Sequence, residues 1–259
     1  MALARLNRTV FRLSGDGVQA WLDGLVTNNL TAPISFAALL TPQGKIIADF
    51  FVVKDDKDIL LDTASKFADP LHKRLKMYKL RAPIDITETE LKVYALWDAD
   101  DMDGQPDPRH ASLGHRLITD QSLGEASDNQ DAYNAHRLSL GVADSEWDFE
   151  TQTTFPADAN MDLMQGVDFQ KGCFVGQEVV SRMKRMTNVK KRMRGLILEG
   201  PAKSGDPIKC GERTVGEVLS AHGSMGMGLV RLNRWKEADT EPTINGAAVQ
   251  IMGGVDGSE

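Results

Sequence analysis

Phe169-Gln170-Lys171-Gly172-Cys173-Phe174-Val175-Gly176-Gln177-Glu178-Val179-Val180-Ser181-Arg182 brings a thiol, an ammonium, a carboxylate, a guanidinium and two glycines into fourteen residues. The pattern from Gly176 onward predicts a helix. An ammonium at Lys171 and a helix N-terminus after the cysteine would both favour a thiolate at Cys173, and thiolate character makes a cysteine reactive. Glu178 in the first helical turn would offset part of that effect. A free cysteine at a strand-to-helix turn also packs well as a small apolar side chain. Local chemistry leaves both readings open.

Working outward, the chain has 259 residues and 41% hydrophobic content, enough for one large domain or two to three small ones. No apolar run approaches the roughly 20 residues that cross a bilayer as a helix, and Met1-Ala2-Leu3-Ala4-Arg5-Leu6-Asn7-Arg8 lacks the long apolar region of a signal peptide. The expectation is a bacterial cytoplasmic protein without a membrane partner. Cys173 and Cys210 are the two cysteines, with no CxxC pair, so one chain cannot supply a disulfide framework or an all-cysteine cluster site. Any link to iron-sulfur chemistry must be indirect or shared. The five histidines show neither HxxxH nor HExxH spacing, and no bound metal is expected.

A net charge of −7 argues against nonspecific nucleic-acid binding by the whole chain. Arg182, Lys184, Arg185, Lys190, Lys191, Arg192 and Arg194 nevertheless follow one another without an intervening acid. They form either an anion or acidic-partner site or a solvated face.

Hydrophobic periodicity predicts a strand at residues 8–13, a helix carrying Val18, Trp21, Leu22 and Leu25, and an antiparallel meander from residues 36–40, 45–53 and 58–62. Phe67, Leu71, Leu75 and Tyr78 then step as one helix face. Strands are expected at 91–97 and 115–119, separated by an acidic loop, 98–114, read as exposed and mobile. A helix follows near 128–141, then an aperiodic region to Asp168 of the kind that is often functional. Beyond Arg194, short apolar stretches broken by glycines predict a small β-barrel. Gly223-Ser224-Met225-Gly226-Met227-Gly228 lacks GxGxxG spacing and reads as a strand turn. Walker A and GxSxG patterns are missing, so kinase and hydrolase readings lose their usual support.

Lys171-Gly172-Cys173-Phe174-Val175-Gly176-Gln177-Glu178 with Arg182 resembles the KGCYxGQE signature of the YgfZ family, folate-binding relatives of the glycine-cleavage T-protein. Val26-Thr27-Asn28-Asn29-Leu30, Leu40-Thr41-Pro42-Gln43-Gly44-Lys45, Asp58-Ile59-Leu60-Leu61-Asp62, Lys76-Met77-Tyr78-Lys79-Leu80-Arg81 and Gly216-Glu217-Val218-Leu219-Ser220 extend the resemblance in the family's order. Three positions depart from it: Asn29 stands where TND is usual, Asp158 replaces the glutamate of a Pro-x-Glu, and Phe174 replaces a tyrosine.

The resemblance implies an α+β fold, a ring of two ferredoxin-like subdomains and a C-terminal β-barrel around a central folate pocket, with parts at 1–90, 91–190 and 191–259. It implies a tetrahydrofolate-binding protein that supports iron-sulfur cluster assembly or repair, with the assembly machinery or client iron-sulfur enzymes as partners. A folate-dependent aminomethyltransferase-like enzyme and a noncatalytic scaffold are the alternatives. Cys173 and Lys171 become the candidate reactive pair. Asn29, Asp158, Lys171, Gln177, Glu178 and Arg182 become the candidate contacts to tetrahydrofolate or a derivative. Asn29 or Asp158 would read the pterin edge, Met161 or Phe155 would lie against the ring, and Arg182 or Lys184 would meet the anionic tail. Glu178 and Arg182, four apart, are expected on one helix face.

Overall fold

A computed structural model describes residues 1–99, 102–124, 129–185 and 189–255. The elements begin with β1 (Ala2–Arg5), β2 (Arg8–Ser14), α1 (Val18–Asp23), β3 (Ile34–Leu40), β4 (Ile46–Asp55), β5 (Asp58–Ala64), α2 (Ser65–Lys79) and β6 (Asp85–Glu88). The predicted meander forms, and β2 and β6 extend it to a five-stranded sheet of order β3-β4-β5-β2-β6. All of β3 and the first seven residues of β4 are buried, which explains why they read as apolar runs without alternation. Helix α2 covers this sheet with Phe67, Leu71 and Leu75, the face its spacing predicted.

A second sheet holds β7 (Lys92–Trp97), β8 (Gln105–Pro106) and β9 (His115–Thr119), and takes β1 from the chain's start in the order β1-β7-β9-β8. Two helices follow, α3 (Gln130–Ser139) and α4 (Gln177–Arg185). Then come β10 (Lys191–Leu198), β11 (Pro207–Cys210), β12 (Arg213–His222), β13 (Met225–Arg231), α5 (Leu232–Lys236), β14 (Pro242–Ile244) and β15 (Ala247–Ile251). The last six strands close into a barrel, β10-β13-β12-β11-β14-β15, with its own apolar core that includes Cys210. Gly223 lies in the β12–β13 turn, since His222 pairs with Met225, and the glycine-rich segment is a hairpin as its sequence suggests. The residue positions 90 and 190 fall between β6 and β7 and just ahead of β10.

The acidic loop 98–114 is exposed over much of its described length, as expected, but two of its charged residues are not, and Asp100 and Asp101 lie outside the described residues. Asp107 and Arg109 are each 4% exposed and belong to a buried ionic network. Arg116 on β9 joins Asp62 on β5 at 2.6 Å and Asp107 at 3.4 Å, while Arg109 meets Asp107 at 2.9 Å and Asp144 at 2.8 Å. Arg8 holds the other oxygen of Asp62, and the Arg116 guanidinium lies 3.8 Å above the Phe51 ring. Burial alone would raise the carboxyl pKa values of Asp62, Asp107 and Asp144. The facing guanidiniums outweigh it and hold all three below the ordinary range. A second buried pair, Arg137 with Asp148 at 2.6 Å, accepts the Ser220 hydroxyl from β12 at 2.5 Å and so ties the barrel to the aperiodic region. Acidic residues that suggest solvent in the sequence are here the fasteners between sheets.

Candidate functional site

Cys173 is exposed, whereas Cys210 is buried in the barrel. The loop that carries Cys173 is fixed on both sides. On one side, the Lys171 side chain is 4% exposed, and its Nζ donates to the carbonyl oxygens of Asp23, Val26 and Asn28 at 2.7, 2.9 and 2.8 Å. The Asp23 carboxylate is 3.3 Å away. Burial pulls the Lys171 ammonium below its usual pKa, and Asp23 pushes back. The cation that the sequence suggests for the thiol or for an anionic ligand thus holds the segment that ends α1.

On the other side, Gly176 has φ of +82°, and a Cβ there would lie 2.7 Å from the Thr41 carbonyl oxygen. Gly44, at φ +79°, faces Val179 of α4 with only 3.0 Å for a Cβ. The turn of Leu40-Thr41-Pro42-Gln43-Gly44-Lys45 therefore packs backbone to backbone on the start of α4, and only glycine fits both contacts. Phe174 and Val180 anchor the stretch in the core at 8% and 5% exposure. Lys184 returns from α4 to lie 3.6 Å above the Phe169 ring.

Beside this loop the Thr27-Asn28-Asn29 segment is laced to residues 165–168. Thr27 Oγ1 donates to Gly166 O at 2.6 Å, Asn28 Nδ2 to Gln165 O at 2.6 Å, and Asn29 Nδ2 to Asp168 Oδ2 at 3.0 Å. Between them opens a cleft of about 350 Å³ lined by Asn29, Phe36, Pro108, Asp162, Gln165, Asp168 and neighbours. The hydrogen bond from Asn29, helped by backbone N–H groups of Gln170 and Lys171, keeps Asp168 below the usual carboxylate range. Asp162 is paired with Arg192 at 2.8 Å, which leaves Asp168 as the cleft's unpaired carboxylate.

The six predicted ligand contacts are only partly gathered. Asn29 lines the cleft, and Lys171 supports it through the Asn28 carbonyl. Gln177 Nε2 donates to Gly172 O at 3.3 Å and steadies the cysteine loop. Asp158 lies apart, 5% exposed, with Lys191 Nζ 3.9 Å away, and burial raises its pKa against the pull of Lys191 and Lys45. Glu178 and Arg182 are exposed on α4, and among the described residues no ion pair joins them. Met161 is 1% exposed in the core, and Phe155 sits under the Lys45 ammonium at 3.7 Å.

Asp168, Asp162 and Asp23 escaped the sequence reading. Asp168 stands three residues before Lys171, inside the approach to the motif, so proximity was an available signal. The roles of Asp23 and Asp162 depend on contacts with Lys171 and Arg192, 148 and 30 residues away, and had none.

Residues 190–252 match the profile of the CAF17 C-terminal beta-barrel domain. The chain is 30% identical over 235 residues to the iron-sulfur cluster assembly factor IBA57 homolog, mitochondrial, of Neurospora crassa, covering 76% of this chain and 54% of that protein. It is a homologue of the IBA57 factors, of the YgfZ family. The human IBA57 is 26% identical over 278 residues, which cover 89% of this chain and 76% of the human protein. The chain spans about half the length of the first fungal IBA57 relatives, 54% and 57%. A solved aminomethyltransferase T of the glycine cleavage system from Bartonella henselae superposes with a TM-score of 0.76, over 96% of this chain and 84% of that one, at 16% identity. That likeness establishes a shared fold. The expectation of a cytoplasmic protein is overturned, because these IBA57 relatives are mitochondrial by name.

Proposed function

We propose that this protein supports the assembly of iron-sulfur clusters by presenting Cys173 as a single ligand to a cluster held in part by another protein. The carrying observation is the contrast between an exposed thiol and its fixed loop, braced by Lys171 on one side and Gly176 on the other. A lone thiol cannot hold a cluster by itself, and among the described residues no three His, Cys, Asp or Glu side chains gather as a metal site. In the exchange, the Cys173 sulfur forms a bond to iron as a partner thiolate leaves, and the departing thiolate takes the Cys173 proton. No electron changes hands. Lys171 and Gly176 are positioning residues in this reading.

The finer part of the proposal is that the cleft beside Asn29 takes tetrahydrofolate or a derivative by its pterin end. The donor set suits that group: Asp168 is an ionised acceptor for the amidine edge, Asn29 and Gln165 are amides, and Phe36 and Pro108 give apolar walls. Bound there, the folate would supply a one-carbon carrier. The cleft lining contains no lysine or arginine, so in this reading the anionic tail lies outside it, and Asp158 is not among the lining residues.

The test is restoration of aconitase activity in cells that lack their own factor of this kind. Cys173→Ala should fail while Cys210→Ala succeeds, and full restoration by Cys173→Ala ends the thiol reading. A separate titration with tetrahydrofolate decides the cleft: saturable binding weakened by Asp168→Asn is expected, and no saturation near millimolar ligand removes the folate claim.

A further inference from the structure

The end of α2 is a surface that the proposed site leaves unexplained. Residues 65–81 carry six cations, Lys66, Lys73, Arg74, Lys76, Lys79 and Arg81, against the single carboxylate of Asp69, on a chain of net charge −7. Lys73 is followed by Lys76 and Met77, three and four residues on, which places these three on one face of the last turns, and Leu80 caps that end. Met77 is 51% exposed and Leu80 86%, two of the four large hydrophobic side chains that stand out in solvent among the described residues. Lys73 and Lys79 have partners at 3.8 and 3.5 Å, Asp69 and Asp85, whereas Lys76 and Arg81 have no ion pair among the described residues.

Leu80 adds a second observation. Its backbone lies at φ +47° and ψ −108°, a region that a branched residue enters only under strain. Glycine would hold this helix end without that strain. An apolar side chain is instead presented to water from a strained backbone, with Lys76, Lys79 and Arg81 within four residues of it.

We infer that this face docks an acidic protein surface, with Leu80 and Met77 as the apolar anchor and Lys76 and Arg81 as the surrounding charges. Complementary charge sets the orientation of such a complex, and a buried apolar residue at its centre supplies the grip. The inference is independent of Cys173, whose loop rests on α1, the β3–β4 turn and α4.

A photo-crosslinking residue placed at Met77 in the full chain, expressed in cells, tests it. The expected adduct is one acidic protein, identified by mass spectrometry. Its yield should fall about tenfold, the loss of one anchoring contact, in Lys76→Glu/Arg81→Glu and in Leu80→Gly. Both variants should keep the parent's melting temperature, and Leu80→Gly should match or exceed it because strain is released. No adduct, an adduct with lipid alone or with a second copy of this chain, or a yield indifferent to these changes overturns the inference. Aconitase restoration, measured in parallel, reports separately on the role proposed for Cys173.

Discussion

Asn29 Nδ2 donates to Asp168 Oδ2 at 3.0 Å, joining residues 139 apart in the chain. The amide at position 29, where the YgfZ motif usually has an acid, is thus matched to a carboxylate across the cleft. Asn29→Asp would set two carboxylates within contact and remove the donor that keeps Asp168 ionised. The sign follows from linkage. A depressed carboxyl pKa contributes stability above its unfolded value near 3.9, and that contribution is lost as pH falls through the lower folded value. In the variant the pair titrates upward, so its melting temperature should drop at pH 7, and the difference from the parent should shrink on acidification toward pH 4. A deficit that stays constant across that range counts against the pairing.

Lys171→Met keeps the side-chain bulk but leaves the carbonyls of Asp23, Val26 and Asn28 without their shared donor. Loss of buried hydrogen bonds to a charged group predicts about 2–3 kcal/mol of destabilisation. Urea unfolding measures it. Thiol accessibility at Cys173 should change at the same time, because its loop loses one brace.

Gly176→Ala drives a Cβ to 2.7 Å from the Thr41 carbonyl at a left-handed backbone position. The expected cost is about 1–3 kcal/mol, with the fold retained and aconitase restoration reduced. Gly205→Ala is the control: its φ is also positive, +88°, but no atom lies within 4 Å, so it should carry the backbone cost without harming function. Equal functional loss in both would mean that the contact with Thr41 is irrelevant.

Asp62→Ala removes the carboxylate shared by Arg8 and Arg116, strands Arg8 and leaves Arg116 with only its longer contact to Asp107, an event worth about 3–5 kcal/mol. The parent should lose stability as pH falls below about 4, where the unfolded chain takes up protons that the depressed carboxylates Asp62, Asp107 and Asp144 resist in the fold. The variant should depend less steeply on pH in that range. Denaturant midpoints collected from pH 3 to pH 7 decide both points.

Much of the fold is legible in the chain because local patterns carry it. The α2 face of Phe67, Leu71 and Leu75 follows from helical spacing, and the barrel from short apolar strands divided by glycines. Loop 98–114 misleads at Asp107 for an equally physical reason: a carboxylate implies solvent unless cations close on it in space, and here Arg109 and, from β9, Arg116 do so. The candidate site divides the same way. Cys173 stands out in sequence as an unpaired thiol among glycines and charges, while Asp168 acquires meaning only through Asn29.

By itself the sequence determined the longer elements, their apolar faces, the C-terminal barrel and the cysteine around which chemistry was to be sought, since each depends on residues close together in the chain, while short strands such as β1, β6 and β14 left no periodic signal. Tertiary structure alone decided what Lys171 does and where Asp158 lies. It also decided which carboxylates remain ionised. Those properties are set by the partner that reaches a charge once water is excluded, and the partners come from 33 residues away for Asp158 and Lys191, and 148 for Lys171 and Asp23.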